Sequence, residues 1–208
     1  MIAINTQSSI KISDDKVYYF DPFQIKDGAN DADYIFITHD HFDHFDRESI
    51  LKVIKENTTI IVPEYLTSEA LSLTNNVIGV VPDSTYTLNV LNFKTTYSYN
   101  INKSFHPKDK GNVGYLINIG NTSYYIPGDT DVLEENYDID VDVAFIPIGG
   151  TYTMNYMEAA EYINKIKPRK CIPIHYGSIV GDITLGEDFK KLIDNDIKVE
   201  LYLKKEGD

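Results

Sequence analysis

Residues 38–46 read Thr38-His39-Asp40-His41-Phe42-Asp43-His44-Phe45-Asp46, which places three of the chain's five histidines within six positions. The preceding Tyr34-Ile35-Phe36-Ile37 is a short apolar run of β-formers and reads as a buried strand. After the motif, Asp46 is a good N-cap, and Ile50, Val53 and Ile54 recur at helical spacing. The histidines and acids therefore sit on a loop where a strand hands over to a helix, and loops held by a rigid strand often carry function. Imidazole and carboxylate at this density suit a borderline divalent metal such as zinc.

Working outward, 208 residues with 42% hydrophobic content are compatible with one large domain, 1–208, and a substantial core. A net charge of −13 repels nucleic acid and anionic membranes, so no nucleic-acid partner is expected. The single cysteine, Cys171, excludes an intramolecular disulfide framework and a cysteine-based zinc site. It falls in the predicted core strand KCIPI, where a buried thiol is structural. The N-terminus lacks the basic start and apolar stretch of a signal peptide, and no run approaches the ~20 apolar residues needed to span a bilayer. A cytoplasmic protein without membrane insertion is the expectation, and a homo-oligomer is compatible with it.

Strand and helix alternate through the first third. Two short strands fall within residues 2–20, and Asp21-Pro22 reads as a strand-ending turn rather than a group aimed at the site. Thr58 to Val62 and Val77 to Val81 read as strands, with a helix marked by Leu66, Ala70 and Leu73 between them. The middle is β-rich. Tyr86, Leu88 and Val90 alternate with polar residues, and Gly120-Asn121 forms a hairpin turn between Val113–Ile119 and Thr122–Ile126. Alternation then resumes. Val141 to Ile146 is a strand, Asn155 with Glu158 caps a helix, Lys170 to Ile174 is a strand, Thr184 with Glu187 caps another helix, and Ile197 to Leu203 closes the chain as a strand. Two such ends around a β-rich middle imply two sheets packed face to face with helices outside.

The other histidines test the opening motif. His106 immediately precedes the Val113 strand, His175 ends the strand CIPIH, and Asp129 follows Tyr124-Tyr125-Ile126-Pro127-Gly128. His39 and His41 can point the same way and, with His106, make a three-nitrogen site. Asp43 and His44 turn toward a second metal completed by His175, and Asp129 could bridge both ions. Two ions ~3.5–4 Å apart would activate water as a nucleophile and polarise the bond it attacks. Asp43 is also the candidate catalytic carboxylate. Asp40 is expected to orient a neighbouring histidine or cap the loop rather than bind metal. The cofactor expectation is two divalent ions, zinc first, with manganese, iron and nickel accepted by the same ligand types.

At this point the chain resembles the metallo-β-lactamase superfamily. The H-x-H-x-D-H hallmark appears as His39 to His44, and the later His, Asp and His match His106, Asp129 and His175 in order. The stretches HPKDKGNVGYLI, YYIPGDTD, FIPIGGTYTMNYMEAA and IPIHYG are similar to the lactonase-like branch of metal-dependent hydrolases. The resemblance implies an α/β (α+β) fold, a four-layer αββα sandwich with the site along one sheet edge. It also implies hydrolysis, because the superfamily's redox branch carries glutamate where His41 stands.

The expected substrate is a small molecule containing an ester, lactone or phosphoester. Lys103, Lys108 and Lys110 cluster around His106 in sequence, and Tyr152 and Tyr176 offer hydroxyls, so a small anionic substrate is expected. Two alternatives stay open: a phosphodiesterase acting on a lipid or nucleotide, and a metal-binding regulatory protein without turnover.

Overall fold

The computed structural model describes residues 1–88 and 91–203. One sheet contains, in hydrogen-bonded order, β1 (Ile2–Ile4), β2 (Ile10–Ser13), β3 (Val17–Phe20), β4 (Tyr34–Phe36), β5 (Thr59–Pro63) and β6 (Val77–Val80). The first three strands form an antiparallel meander, and β3 to β6 are parallel. Helices α1 (Arg47–Val53) and α2 (Thr67–Leu71) make two of the crossovers.

The other sheet is ordered from β7 (Thr85–Leu88) through β8 (Leu91–Tyr97), β9 (Val113–Ile119), β10 (Thr122–Ile126), β11 (Val143–Pro147) and β12 (Lys170–Ile174) to β13 (Lys198–Val199). It too begins as an antiparallel meander and ends parallel, with α3 (Tyr156–Ile166) and α4 (Leu185–Leu192) as crossovers.

Strand alternation sorts the side chains into layers, because successive residues point to opposite faces. Tyr18, Phe20, Phe36 and Ile61 meet Phe93, Tyr115, Phe145 and Ile172 between the sheets. Their neighbours Tyr19, Ile35, Ile60 and Val62 pack instead against Ile50, Val53 and Ala70 of the first two helices. Behind the second sheet, Ala144, Ile146 and Cys171 pack against Ala159, Ile163 and Phe189. The result is the expected four-layer αββα sandwich. Phe36 is held edge-on to Phe93 and Tyr115, with ring centroids 5.3 and 5.0 Å apart. The Tyr115 hydroxyl donates to the Ile37 carbonyl at 2.6 Å, tying the sheets together directly below the histidine loop.

Asp46 caps α1 by accepting from the Glu48 amide, and Asn155 with Glu158 forms a complete capping box on α3. The Thr184–Glu187 box does not form. Thr184 has helical backbone angles, and its hydroxyl donates to Asp182 at 2.8 Å. The segment 2–20 holds three strands rather than two. Strand β8 was not expected, and Val90 of the expected Tyr86–Val90 strand lies outside the described residues. The last strand stops at Val199 instead of Leu203. Cys171 and Pro173 face β13 in the parallel ladder, and Pro173 has no N–H with which to extend it. No helix among the described residues is long and apolar enough to cross a membrane.

Candidate metal centre

Parallel pairing brings several strand ends to one edge of the sandwich. Residue 36 of β4 lies beside residue 20 of β3, so Asp21 and the loop starting at Ile37 leave the sheet together. From the second sheet, Asp129 follows β10, His175 follows β12, and His106 precedes β9. Gly128 has φ +68°, and a Cβ there would lie 2.9 Å from the Thr38 Cβ, so glycine allows the Asp129 loop to approach the histidine loop. Gln7, Asp21, His106 and His175 all have positive φ, between 44° and 56°, a cost that persists only where the surroundings over-determine it.

These elements gather the seven residues expected at the site into two groups. His39, His41, His106 and Asp129 each offer a ligand atom within 4.8 Å of one another, as do Asp43, His44 and His175. Asp129 touches both groups. Its Oδ2 lies 3.7 Å from His106 Nε2 and 3.1 Å from His175 Nε2, and its Oδ1 lies 3.3 Å from His44 Nε2. Asp43 Oδ2 is 3.4 Å from His175 Nε2 and 3.7 Å from His44 Nε2. His41 Nδ1 is 3.0 Å from His106 Nε2.

Hydrogen bonds behind the rings decide which nitrogen faces the centre. Asp21, fully buried, accepts from the Thr38 amide at 2.8 Å, the Thr38 hydroxyl at 2.7 Å and His44 Nδ1 at 2.7 Å. His44 Nε2 is thereby left with its lone pair forward. Because the Thr38 hydroxyl donates to Asp21, it can accept from His39 Nδ1, 3.0 Å away, which leaves His39 Nε2 forward too. His106 Nδ1 faces the Tyr152 carbonyl at 3.2 Å, with the same effect on its Nε2. One carboxylate thus orients two imidazoles, the support that metal-binding histidines require.

The charges follow from burial and these neighbours. Burial pushes His39 well below its ordinary value, helped by His44, and pushes His106 down to about 4 against the pull of Asp129. Burial acts downward on His44 as well, but Asp129 and Asp21 outweigh it and hold the ring well above normal. At His175 burial is likewise outweighed by Asp129 and Asp43, and the value rises to about 9. Burial would raise Asp129, yet His175 and His44 hold it well below the usual carboxylate range.

The donor set fits a divalent metal. His39 Nε2, His44 Nε2, Asp129 Oδ1 and both ring nitrogens of His175 are buried without making a hydrogen bond. Buried polar atoms rarely remain so without a partner, and here they converge as imidazole and carboxylate ligands do.

The remaining expectations need correction. Asp21 is not merely a turn residue, as its three hydrogen bonds show. Lys103 pairs with Asp131, half-buried. Lys108 reaches Glu135 at 3.0 Å and the Tyr99 hydroxyl at 3.1 Å, over the Tyr97 and Tyr99 rings. Lys110 pairs with Asp40 at 2.8 Å. Carboxylates distant in sequence have captured all three lysines, so their nearness to His106 in the chain does not make an anion pocket. Asp40 faces Lys110 and Tyr65 rather than a histidine ring. Tyr176 is 1% exposed in the core behind the second sheet, with its hydroxyl against Gly186, and is no substrate contact at the centre. Tyr152 does line the cavity over the centre, which measures about 240 Å³ and is lined by the ligand residues His41, Asp43, Asp129 and His175 together with Phe42, Phe105, Tyr152 and Ile179. A larger cleft of about 680 Å³, lined by Asn5, Lys26 and Ser178 among others, contains none of the seven.

Sequence reasoning missed Gln7. It is fully buried, its side-chain amide donates to Asp43 Oδ2 at 3.4 Å, and its main-chain carbonyl accepts from the His175 backbone N–H at 3.1 Å. Nothing in NTQSSI marks it. The signal for Asp21 was its place at the end of a strand adjacent to the histidine-bearing one.

A four-layer sandwich with a buried histidine–aspartate cluster at the edge where its sheets meet defines the class: a metal-site protein of metallo-β-lactamase architecture. A family model described as a beta-lactamase superfamily domain matches residues 5–175. A UPF0173 metal-dependent hydrolase of Pyrobaculum islandicum is 29% identical over 198 residues, covering 90% of this chain and 84% of its own. One from Thermococcus onnurineus is 30% identical over 190 residues, covering 86% and 81%. The solved structure of a candidate metal-dependent hydrolase from Parabacteroides distasonis matches with a TM-score of 0.82 at 27% identity, over 98% of this chain and 93% of that one. The chain belongs to the beta-lactamase superfamily, within its family of metal-dependent hydrolases.

Proposed function

We propose that residues 1–208 form one dinuclear hydrolase domain that adds water across an ester, lactone or phosphoester bond of a small cytoplasmic molecule. His39, His41 and His106 would hold one ion, Asp43, His44 and His175 the other, and Asp129 both. Zinc is the first expectation for this donor set, with manganese, iron or nickel also suited. When bound, the ions supply Lewis acidity and bring the pKa of water down to about 7.

The other tasks fall to the chain itself. Asp21 and Thr38 fix the His39 and His44 tautomers, and Gln7 steadies Asp43. Burial would raise Asp43, but the His175 ring 3.4 Å away and the charge of His44 keep it ionised below the usual range. Lining the cavity, it is placed to accept a proton from the attacking water. The water oxygen bonds to the scissile carbon or phosphorus, the bond to the leaving oxygen breaks, and the proton passes to that oxygen.

The observation carrying this reading is the sharing of Asp129 between two ligand groups in which the inward atoms of His39, His44, Asp129 and His175 include buried ones without hydrogen bonds. The test is elemental analysis of protein never exposed to chelator, run beside a panel of esters, lactones and phosphoesters. About two divalent ions per chain and turnover of at least one substrate class are expected. Folded protein that takes up no metal would overturn the reading.

A further inference from the structure

Apart from the ligand residues, the cavity is lined by Phe42, Phe105, Tyr152 and Ile179. Phe42 is 68% exposed, Phe105 45% and Ile179 40%, so three of the ten exposed large hydrophobic residues among those described converge on one small cavity. Apolar residues scattered singly need no explanation, but a contiguous patch beside a site does. Two of these side chains are braced: Phe42 packs edge-on to Phe23 with centroids 5.9 Å apart, and Phe105 packs edge-on to Tyr152 at 4.7 Å. No lysine or arginine among the described residues lines the cavity, and the nearby Lys103, Lys108 and Lys110 are all paired with acids.

We propose, building on the hydrolase reading above, that this cavity selects a small neutral substrate carrying a compact apolar group beside the scissile bond. Phe42, Phe105 and Ile179 are its specificity-determining residues. Burying each methylene of such a group should raise affinity for the enzyme about fourfold. At about 240 Å³ the cavity is below the usual small-molecule range, so the gain should stop after a few carbons.

Two series test this on the metal-loaded chain. The first measures kcat/KM for neutral γ-lactones with alkyl substituents of increasing length and for a matched lactone ending in a carboxylate. The second measures dissociation constants of unreactive amides, from acetamide to hexanamide and succinamate, by NMR titration. Both should improve about fourfold per methylene before levelling off, with no gain from the carboxylate. Phe105→Ala and Ile179→Ala, checked for unchanged metal content, should flatten the dependence. A flat dependence in the native chain, or a preference for the anionic member, overturns the proposal. If no lactone is turned over, the hydrolase reading suffers, and the amide series still decides the cavity's preference.

Discussion

Replacing Asp21 by asparagine isolates the carboxylate that orients the metal-facing rings. The substitution preserves shape but turns one oxygen into an NH2 group. In one amide orientation that group meets His44 Nδ1, which must then accept, moving the ring proton to Nε2 and removing the forward lone pair. In the other it opposes the Thr38 amide, 2.8 Å from Asp21 Oδ1, donor against donor. Losing one charge-assisted bond at a fully buried site costs about 1.5–3 kcal/mol. For a chain of this size that corresponds to a fall in Tm of about 3–12 °C. Metal affinity at the Asp43–His44–His175 group should fall about 10- to 100-fold, with a smaller effect at His39, which Asp21 reaches only through Thr38. Chelator competition followed by elemental analysis, alongside thermal melts, reads both effects. Asp21→Asn melting with the wild type and holding both ions to the same chelator concentration would refute the tautomer argument.

Other substitutions separate the parts of the centre. Asp129→Ala should lower occupancy of both ions, His106→Ala mainly that of the first and His175→Ala mainly that of the second; if the two histidine variants keep full metal content, the ligand assignment fails. Asp40→Asn should leave metal content intact, because Asp40 faces Lys110. Gly128→Ala places a methyl 2.9 Å from the Thr38 Cβ at φ +68°, so urea unfolding should show a loss of about 2–4 kcal/mol, and an unchanged midpoint would mean the loops can part at little cost. Lys108→Ala should leave kcat/KM within about twofold, since its ammonium is committed to Glu135 and Tyr99; a tenfold loss would return it to the site.

The ligand residues could be read from sequence because their chemistry is rare and the strands beside them are plainly apolar. Direction was harder to read. The lysines near His106 share its loop, but Asp40, Asp131 and Glu135 determine where they point, and no local pattern reports such long-range capture. Tyr176 adjoins His175 yet enters the opposite core, because His175 adopts φ 56° and turns the chain between them. Asp21 looked like a turn because Asp-Pro commonly is one; only the pairing of β3 with β4 carries it under Thr38. Strand β8 was obscured by Thr95 and Thr96, which supply two of its buried positions where an apolar alternation would be sought.

Each ligand group draws on both sheets: His39 and His41 meet His106, and Asp43 and His44 meet His175, with Asp129 reaching both. Neither group can assemble within one half of the chain, so the centre exists only once the sheets have packed. Its four left-handed non-glycine residues cost about 1–3 kcal/mol each, and the buried, unpaired ligand atoms add to that. The inter-sheet core lies directly beneath, and burying a single aromatic such as Phe36 or Tyr115 contributes about 1.5–3 kcal/mol, enough to offset one such residue. The aromatic stack and the Tyr115–Ile37 hydrogen bond therefore do more than fill space. They hold the two loop systems at a fixed separation, and that rigidity keeps the strained, under-bonded ligands in place instead of letting the loops relax to satisfy one another.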